Sequence, residues 1–296
     1  MRNGSKIIVG LGILFSLQCM TAHGQIVDTI SDRKNEYANL HRSRFALLPH
    51  RSSYLLPFVY NWMPHEDIYE KVKLADKVNH NSDFYKKNEA EFQFSFTFPI
   101  IRDLNDKKWD IMVAYTHHAW WQVYNSDWSR PFRETNYTPE VFSRYVYNEH
   151  KKLFGLELLA LDVGYMHQSN GQTQVLSRTW DRLFARSVFN HDDFTAMVSV
   201  WYRLPERKDR DENHDIYNYM GIGDLELIKD IRGHKLHYKI PIFANHVSHD
   251  LRYSYPMEKG LRWYLSFQSG YGHSLIEYNR QTQRMGIGIA LENFIF

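Results

Sequence analysis

From Glu91 to Phe98 the chain alternates strictly: Phe92, Phe94, Phe96 and Phe98 fall on one face, and Gln93, Ser95 and Thr97 on the other. Alternation at period two is the signature of a strand whose two faces meet different surroundings. The same pattern recurs in Trp109-Ile111-Val113-Tyr115 and in Leu261-Trp263-Leu265-Phe267. Their alternate positions are polar, with Asp110 and Thr116 in one and Arg262, Ser266 and Gln268 in the other. An antiparallel transmembrane β-barrel accounts for both faces, because its outside meets lipid, its lumen is polar and aromatics gather at the two interfaces. The 16% aromatic content suits such a chain.

Composition removes other classes. With 24% charged residues the chain is no bundle of membrane helices, each of which needs about 20 mostly apolar residues. The balance of 36 basic against 34 acidic side chains gives a net charge of +2 with the 16 histidines neutral, so no nucleic-acid footprint is present. At the N-terminus, Arg2 and Lys6 precede the apolar run Ile7 to Leu17 and then Ala22-His23-Gly24. A run of about 11 residues is too short to span a bilayer, so residues 1–24 read as a secretory signal cleaved after Gly24. Ser16-Leu17-Gln18 before Cys19 does not fit a lipoprotein signal. Cleavage removes the only cysteine, which excludes thiol nucleophiles, disulfides and Cys-ligated zinc from the mature chain.

Residues 25–296 then form one domain, all-β, with about twelve strands counted from Tyr54, an even number as in bacterial single-chain barrels. Residues 25–48 have no pattern that classifies them. Leu104 to Lys108 and Asp230 to His234 read as short periplasmic turns. His65 to Ala90, Asn125 to Asn136 and Pro205 to Tyr217 read as external loops. The final segment alternates from Met285 and ends on Phe296.

Chemistry concentrates between Leu161 and Phe189. His167 and Ser169 share the face of Leu161, Val163 and Tyr165, whereas Asp162, Met166, Gln168 and Asn170 face the other way. In the next run Arg178, Arg182 and Arg186 form a basic row that belongs in a lumen. A hairpin centred on Gly171 to Leu176 pairs Ser169 with Thr179, His167 with Asp181 and Tyr165 with Leu183. That brings a hydroxyl, an imidazole and a carboxylate to one surface, the set of a serine hydrolase triad. The parity turns this set toward lipid, where polar groups are costly without a function and where ester bonds lie at the headgroup boundary. Two readings stand at this point: acyl-ester hydrolysis, or a polar strand end hydrogen-bonding in the interface.

The hairpin, Tyr165-Met166-His167-Gln168-Ser169-Asn170-Gly171 followed by Ser177-Arg178-Thr179-Trp180-Asp181-Arg182-Leu183, resembles the active-site hairpin of the outer-membrane phospholipase A family. Trp120-Trp121-Gln122, Pro131 to Tyr137, Tyr219-Met220-Gly221 and Ser269 to Asn279 extend the resemblance along nearly the whole mature chain. It implies a twelve-stranded barrel and calcium-dependent phospholipase A1 and A2 activity, with lysophospholipase activity, on membrane phospholipids in the bacterial outer membrane. Ser169 would be the nucleophile, His167 the general base and Asp181 its orienting partner, with Gly171 supporting the loop and oxyanion. Asp181 departs from the family's asparagine. Calcium would take Ser177, the carbonyl of Gln172 and Ser129 from the partner subunit, so that a homodimer acts as the switch and lipids reaching the outer leaflet as the trigger. With no carboxylate in that set, the affinity for calcium should be modest. Gln172 replaces an arginine that contributes only its carbonyl, and Gln174 replaces an aspartate of a second, monomer-associated calcium site, near which Asp211 and Glu212 remain. His117 takes the place of a glutamine in the dimer interface, and an imidazole titrating near pH 6.5 would make the dimer pH-sensitive.

Other features have plainer readings. His117 and His118 point to opposite faces and are not a metal pair. The Gly-Tyr-Gly and Gly-Ile-Gly segments read as barrel glycines, not a phosphate loop. Arg203 to Glu212 reads as a solvated loop of mixed charge. The rivals are a non-catalytic barrel, porin or structural, whose Arg178, Arg182 and Arg186 would line an anion path, and a soluble secreted esterase, against which the repeated apolar faces argue.

Overall fold

The computed structural model describes residues 47–70, 82–104, 109–147, 151–153, 155–172, 176–258 and 260–291. The signal sequence with Cys19, most of the segment 25–48, Gln174 and Phe296 lie outside the described residues. Among the described residues fourteen strands form a single sheet, two of them only two residues long, Leu48–Pro49 and Lys152–Leu153. The other twelve are β1 (Tyr54–Asn61), β2 (Asn88–Ile101), β3 (Trp109–Trp121), β4 (Phe132–Val146), β5 (Leu156–Ser169), β6 (Thr179–His191), β7 (Phe194–Arg203), β8 (Gly223–Ile231), β9 (His234–Ile242), β10 (Ser248–Pro256), β11 (Leu261–Gly270) and β12 (Thr282–Leu291). Each pairs antiparallel with its neighbours in sequence, and β12 closes on β1 through pairs such as Ile287 with Phe58. Among the described residues none of these twelve strands is left at an edge, the condition for crossing lipid with strands. Among the described residues, no helix is long and apolar enough to span a membrane.

The period-two pattern sorts the faces as the sequence predicts. Gln93, Ser95 and Thr97 are buried in the lumen while Phe94 is 55% exposed on the outside. The lumen is crowded with paired charge. Arg144 grips Asp162 through two bonds of 2.7 and 2.8 Å, and Arg186 reaches Glu140 at 3.1 Å. Arg182 and Arg186 of the basic row are buried there, whereas Arg178 precedes β6 and is half-buried. Pro57 lies where the β1–β2 register shifts, between Leu56 and Val59, a position at which a missing N–H is tolerated.

Several boundaries differ from the sequence reading. Strand β2 begins at Asn88 and β4 at Phe132, so Asn88 to Ala90 and Phe132 to Asn136 are wall rather than loop. A short helix, α1 (Tyr217–Met220), follows the loop after Pro205. Arg203 is not solvated: it ends β7, is buried, and donates to Asp211 at 2.6 Å. Gly286 and Gly288 are wall glycines, and a Cβ at Gly288 would fall 2.0 Å from the Leu55 carbonyl oxygen. Gly272 instead sits in the loop after β11 at φ +71°, so only one of the two glycine-rich segments lies wholly in the barrel wall. The Asp230 to His234 turn is tight, with Arg232 and Gly233 both at positive φ, as a two-residue hairpin connection needs.

The loop-bearing end opposite that turn has its own apolar packing. Tyr69, Phe84, Tyr85, Trp128 and Ile276 form one buried cluster, with Leu176 packed against it. Trp180, Ile216, Leu275 and Tyr278 form another. Beneath them Arg133 joins Glu89 and Glu277. The hairpin between β5 and β6 rises into this assembly.

Candidate active site

The β5–β6 register follows the equal-sum pairing: Ser169 lies opposite Thr179, His167 opposite Asp181 and Tyr165 opposite Leu183. The face they share is the outside of the barrel, since Val163 is 47% and Leu183 50% exposed, while Asp162, Met166 and Arg182 on the alternate positions are buried. Position along the strand matters as much as face. Ser169 is the last residue of β5, so the polar group stands at the strand end, where the apolar belt gives way to the rim.

His167 Nδ1 donates to Asp181 Oδ1 at 2.8 Å, and both side chains are about a third exposed. That bond fixes Nδ1 as the protonated nitrogen and leaves Nε2 as the basic one. Among the described residues the hydrogen bonds join His167 to Asp181 and not to Ser169, which lies two residues along on the same face; such a gap commonly tightens only with substrate present. Tyr165, which sequence reasoning placed on this face without a role, donates its phenol to the same Asp181 Oδ1 at 2.5 Å. The signal was present in the alternation, because Tyr165 is the diagonal neighbour of Asp181 across the strand pair.

Asn170 organises the loop that follows, a role that its lumen-facing parity does not announce. Its Oδ1 accepts from the backbone N–H of Arg178 at 2.9 Å and of Gln172 at 3.3 Å, and its Nδ2 donates to the Leu176 carbonyl at 2.8 Å. One buried side chain thus fastens the two sides of the loop that carries Gln172 and Ser177. Gly171 sits at φ +64°, and a Cβ there would come within 2.9 Å of the Tyr137 ring, so both conformation and space call for glycine.

The three expected calcium ligands are all on the rim. Gln172 and Ser177 flank the same loop, and Ser129, exposed and at φ 57°, directly follows Trp128 of the cluster on which Leu176 packs. Hydroxyl and carbonyl oxygens are the donors a hard cation takes. Among the described residues no group of three His, Cys, Asp or Glu side chains is placed to hold a metal. Asp211, near the expected second calcium site, is occupied by Arg203.

The two adjacent histidines part as expected. His117 faces outward, stacked on Phe92 at 5.9 Å and edge-on to Tyr137 at 5.2 Å, while His118 faces the lumen and bonds Glu91 at 2.9 Å.

The closed meander, apolar outside and ion-paired inside, defines an integral β-barrel of the bacterial outer membrane. A family model for phospholipase A1 matches residues 30–291. The phospholipase A1 of Klebsiella pneumoniae is 32% identical over 284 residues, covering 93% of this chain and 93% of the relative. That of Escherichia coli K12 is 31% identical over 274 residues, covering 91% and 90%. Among solved structures, outer membrane phospholipase A from Escherichia coli superposes with a TM-score of 0.77 at 31% identity, covering 86% of this chain and 95% of that one. A Salmonella typhi outer membrane phospholipase dimer with bound calcium gives a TM-score of 0.78 at 30% identity, covering 87% and 97%. The chain belongs to the phospholipase A1 family, and its barrel is that of the outer membrane phospholipases.

Proposed function

We propose that the protein is a calcium-dependent phospholipase that cleaves acyl esters of glycerophospholipids, at the A1 and A2 positions and in lysophospholipids, and works as a homodimer. The observation that carries this reading is the His167–Asp181 hydrogen bond on the lipid-facing wall, with Ser169 on the same face at the strand end. A soluble esterase has no reason to place these groups on the outside of a closed barrel. A porin reading is disfavoured by the lumen, which is filled with paired side chains such as Arg144–Asp162 and Arg186–Glu140.

In this reading Ser169 Oγ attacks the ester carbonyl carbon while His167 Nε2 takes its proton. Asp181 holds the ring and balances the imidazolium without itself taking a proton. The imidazolium then returns the proton to the departing glycerol oxygen, leaving an acyl-serine. Water, deprotonated by the same nitrogen, releases the fatty acid. The loop residues fit calcium by donor type, with Ser177 and the Gln172 carbonyl from one subunit and Ser129 from the other. When bound, the ion would supply positive charge to stabilise the developing oxyanion. The inner-leaflet home of the substrate makes arrival of lipid in the outer leaflet the trigger. Residues 1–24 would be the signal removed before insertion, and 25–296 the mature domain.

A sulfonyl fluoride tests the nucleophile without a substrate. Sulfonylation of the Ser169 oxygen, with fluoride as the leaving group, should add its mass to the peptide containing Ser169 and slow sharply in His167→Ala. Labelling that ignores His167, or that falls on another residue, would count against the assignment.

A further inference from the structure

We infer that Tyr165 is a positioning residue of this site, acting on His167 through Asp181; the inference rests on the triad reading above. Two donors, the Tyr165 phenol at 2.5 Å and His167 Nδ1 at 2.8 Å, converge on one oxygen of Asp181. The register makes the convergence specific. His167 is directly opposite Asp181, Tyr165 is opposite Leu183, and Leu183 has no polar group to compete for the phenol. The hydroxyl reaches along the sheet toward the rim and ends on the carboxylate, one outward-facing pair beyond its own.

The chemistry follows from where the carboxylate stands. On a wall facing lipid, an aspartate loses hydration and its charged form is disfavoured. It would then draw the proton from the imidazolium that forms during acylation, and that proton is needed by the leaving oxygen. A phenol donating to the carboxylate stabilises the charged form and lowers its proton affinity. It also fixes the carboxylate's rotation, and hence the ring it orients. The phenol keeps its own proton throughout, so it never enters the bond-making.

The surroundings leave few other groups to do this. On β4, Tyr137 faces Ser169, and the position beside His167 is Pro139, which carries no donor. On β6 the outward neighbours are Thr179 and Leu183. Glu206, in the loop after β7, lies near enough to feel the Asp181 charge; burial, opposed by Arg203, raises its pKa. Arg182 acts on Asp181 from the lumen side, its own side chain bound to Gln168 at 2.9 Å.

The test is a double-mutant cycle with Tyr165→Phe and Asp181→Ala, which removes the shared acceptor, in the full-length refolded barrel, assayed for fatty-acid release across pH with calcium present. Folding is checked by the gel shift between heated and unheated samples. Loss of a hydrogen bond to a charged group predicts that Tyr165→Phe lowers kcat by about tenfold to a hundredfold, with KM little changed. The sign of the pH effect is fixed: without the phenol the His167–Asp181 pair binds its proton more tightly, so the acid limb of kcat moves to higher pH. In the Asp181→Ala background, where the phenol has no acceptor left at 181, adding Tyr165→Phe should cause little further loss and no such movement. A folded Tyr165→Phe enzyme with unaltered kcat and pH profile overturns the inference. An equal loss in both backgrounds overturns it too, because that is the signature of a general packing role. Activity that survives Ser169→Ala in the same preparation removes the triad itself, and this inference with it.

Discussion

Arg133 and Glu277 meet at 2.7 Å across 144 residues of chain, with neither side chain exposed by more than 2%. The same guanidinium holds Glu89 through bonds of 2.9 and 3.0 Å, so one arginine ties two wall strands to the loop after β11. Removing one partner of a buried ion pair leaves an uncompensated charge, at a cost of about 3–5 kcal/mol. Arg133→Ala should lower the urea midpoint of the folded barrel accordingly. An unchanged midpoint would show that the network contributes nothing net.

Gly171 is predicted to be irreplaceable by alanine without loss. At φ +64° a Cβ costs roughly 1–2 kcal/mol and would press on Tyr137. Because the loop lies outside the strands, Gly171→Ala should leave the barrel folded, judged by the heat-dependent gel shift, and slow fatty-acid release. Retention of full turnover would mean that the loop conformation is not needed for the reaction.

The calcium requirement should depend on Asn170 although it is no ligand in this account. Its three bonds hold the loop bearing Gln172 and Ser177. Asn170→Ala is expected to raise the calcium concentration for half-maximal activity, with Ser177→Ala raising it further. Calcium titrations identical to the parent in both variants would remove this loop from metal binding.

His117 gives the outer face a titratable group among aromatic rings, with Tyr115 Oη at 3.5 Å and the Phe92 and Tyr137 rings beside it. A charged imidazole in a lipid-embedded interface is disfavoured, so the proposed dimer should weaken as the pH falls and the imidazole gains a proton. Sedimentation in detergent, compared at pH about 8 and about 5, should show the loss, and His117→Gln should flatten it. A dimer equilibrium flat with pH in the parent chain would contradict the assignment.

The wall and the register of the candidate site were legible because a strand pair is a lookup rule: once the alternation of Leu161 to Ser169 is seen and the hairpin centre placed, His167 must face Asp181. The same rule put Arg182 and Arg186 inside. It fails where the chain leaves the sheet. Nothing local to Arg203 announces that Asp211 will reach back to bury it, and nothing in Asn170 alone shows that its side chain will staple a loop. Strand starts at Asn88 and Phe132 were also missed, because the polar residues that resemble loop there are lumen-facing wall. Tyr165 is a third case: the register places it beside Asp181, but which diagonal neighbour its hydroxyl takes is set by the side-chain rotamer.

The central claim is that a serine on the lipid-facing wall cleaves phospholipid esters with calcium. The most direct measurement is fatty-acid release from phosphatidylethanolamine in mixed micelles by the refolded mature protein, with calcium or with chelator, beside Ser169→Ala. Release that requires calcium and vanishes in Ser169→Ala is the expected result. Equal release by Ser169→Ala, or none from a folded dimer supplied with calcium, would contradict the account.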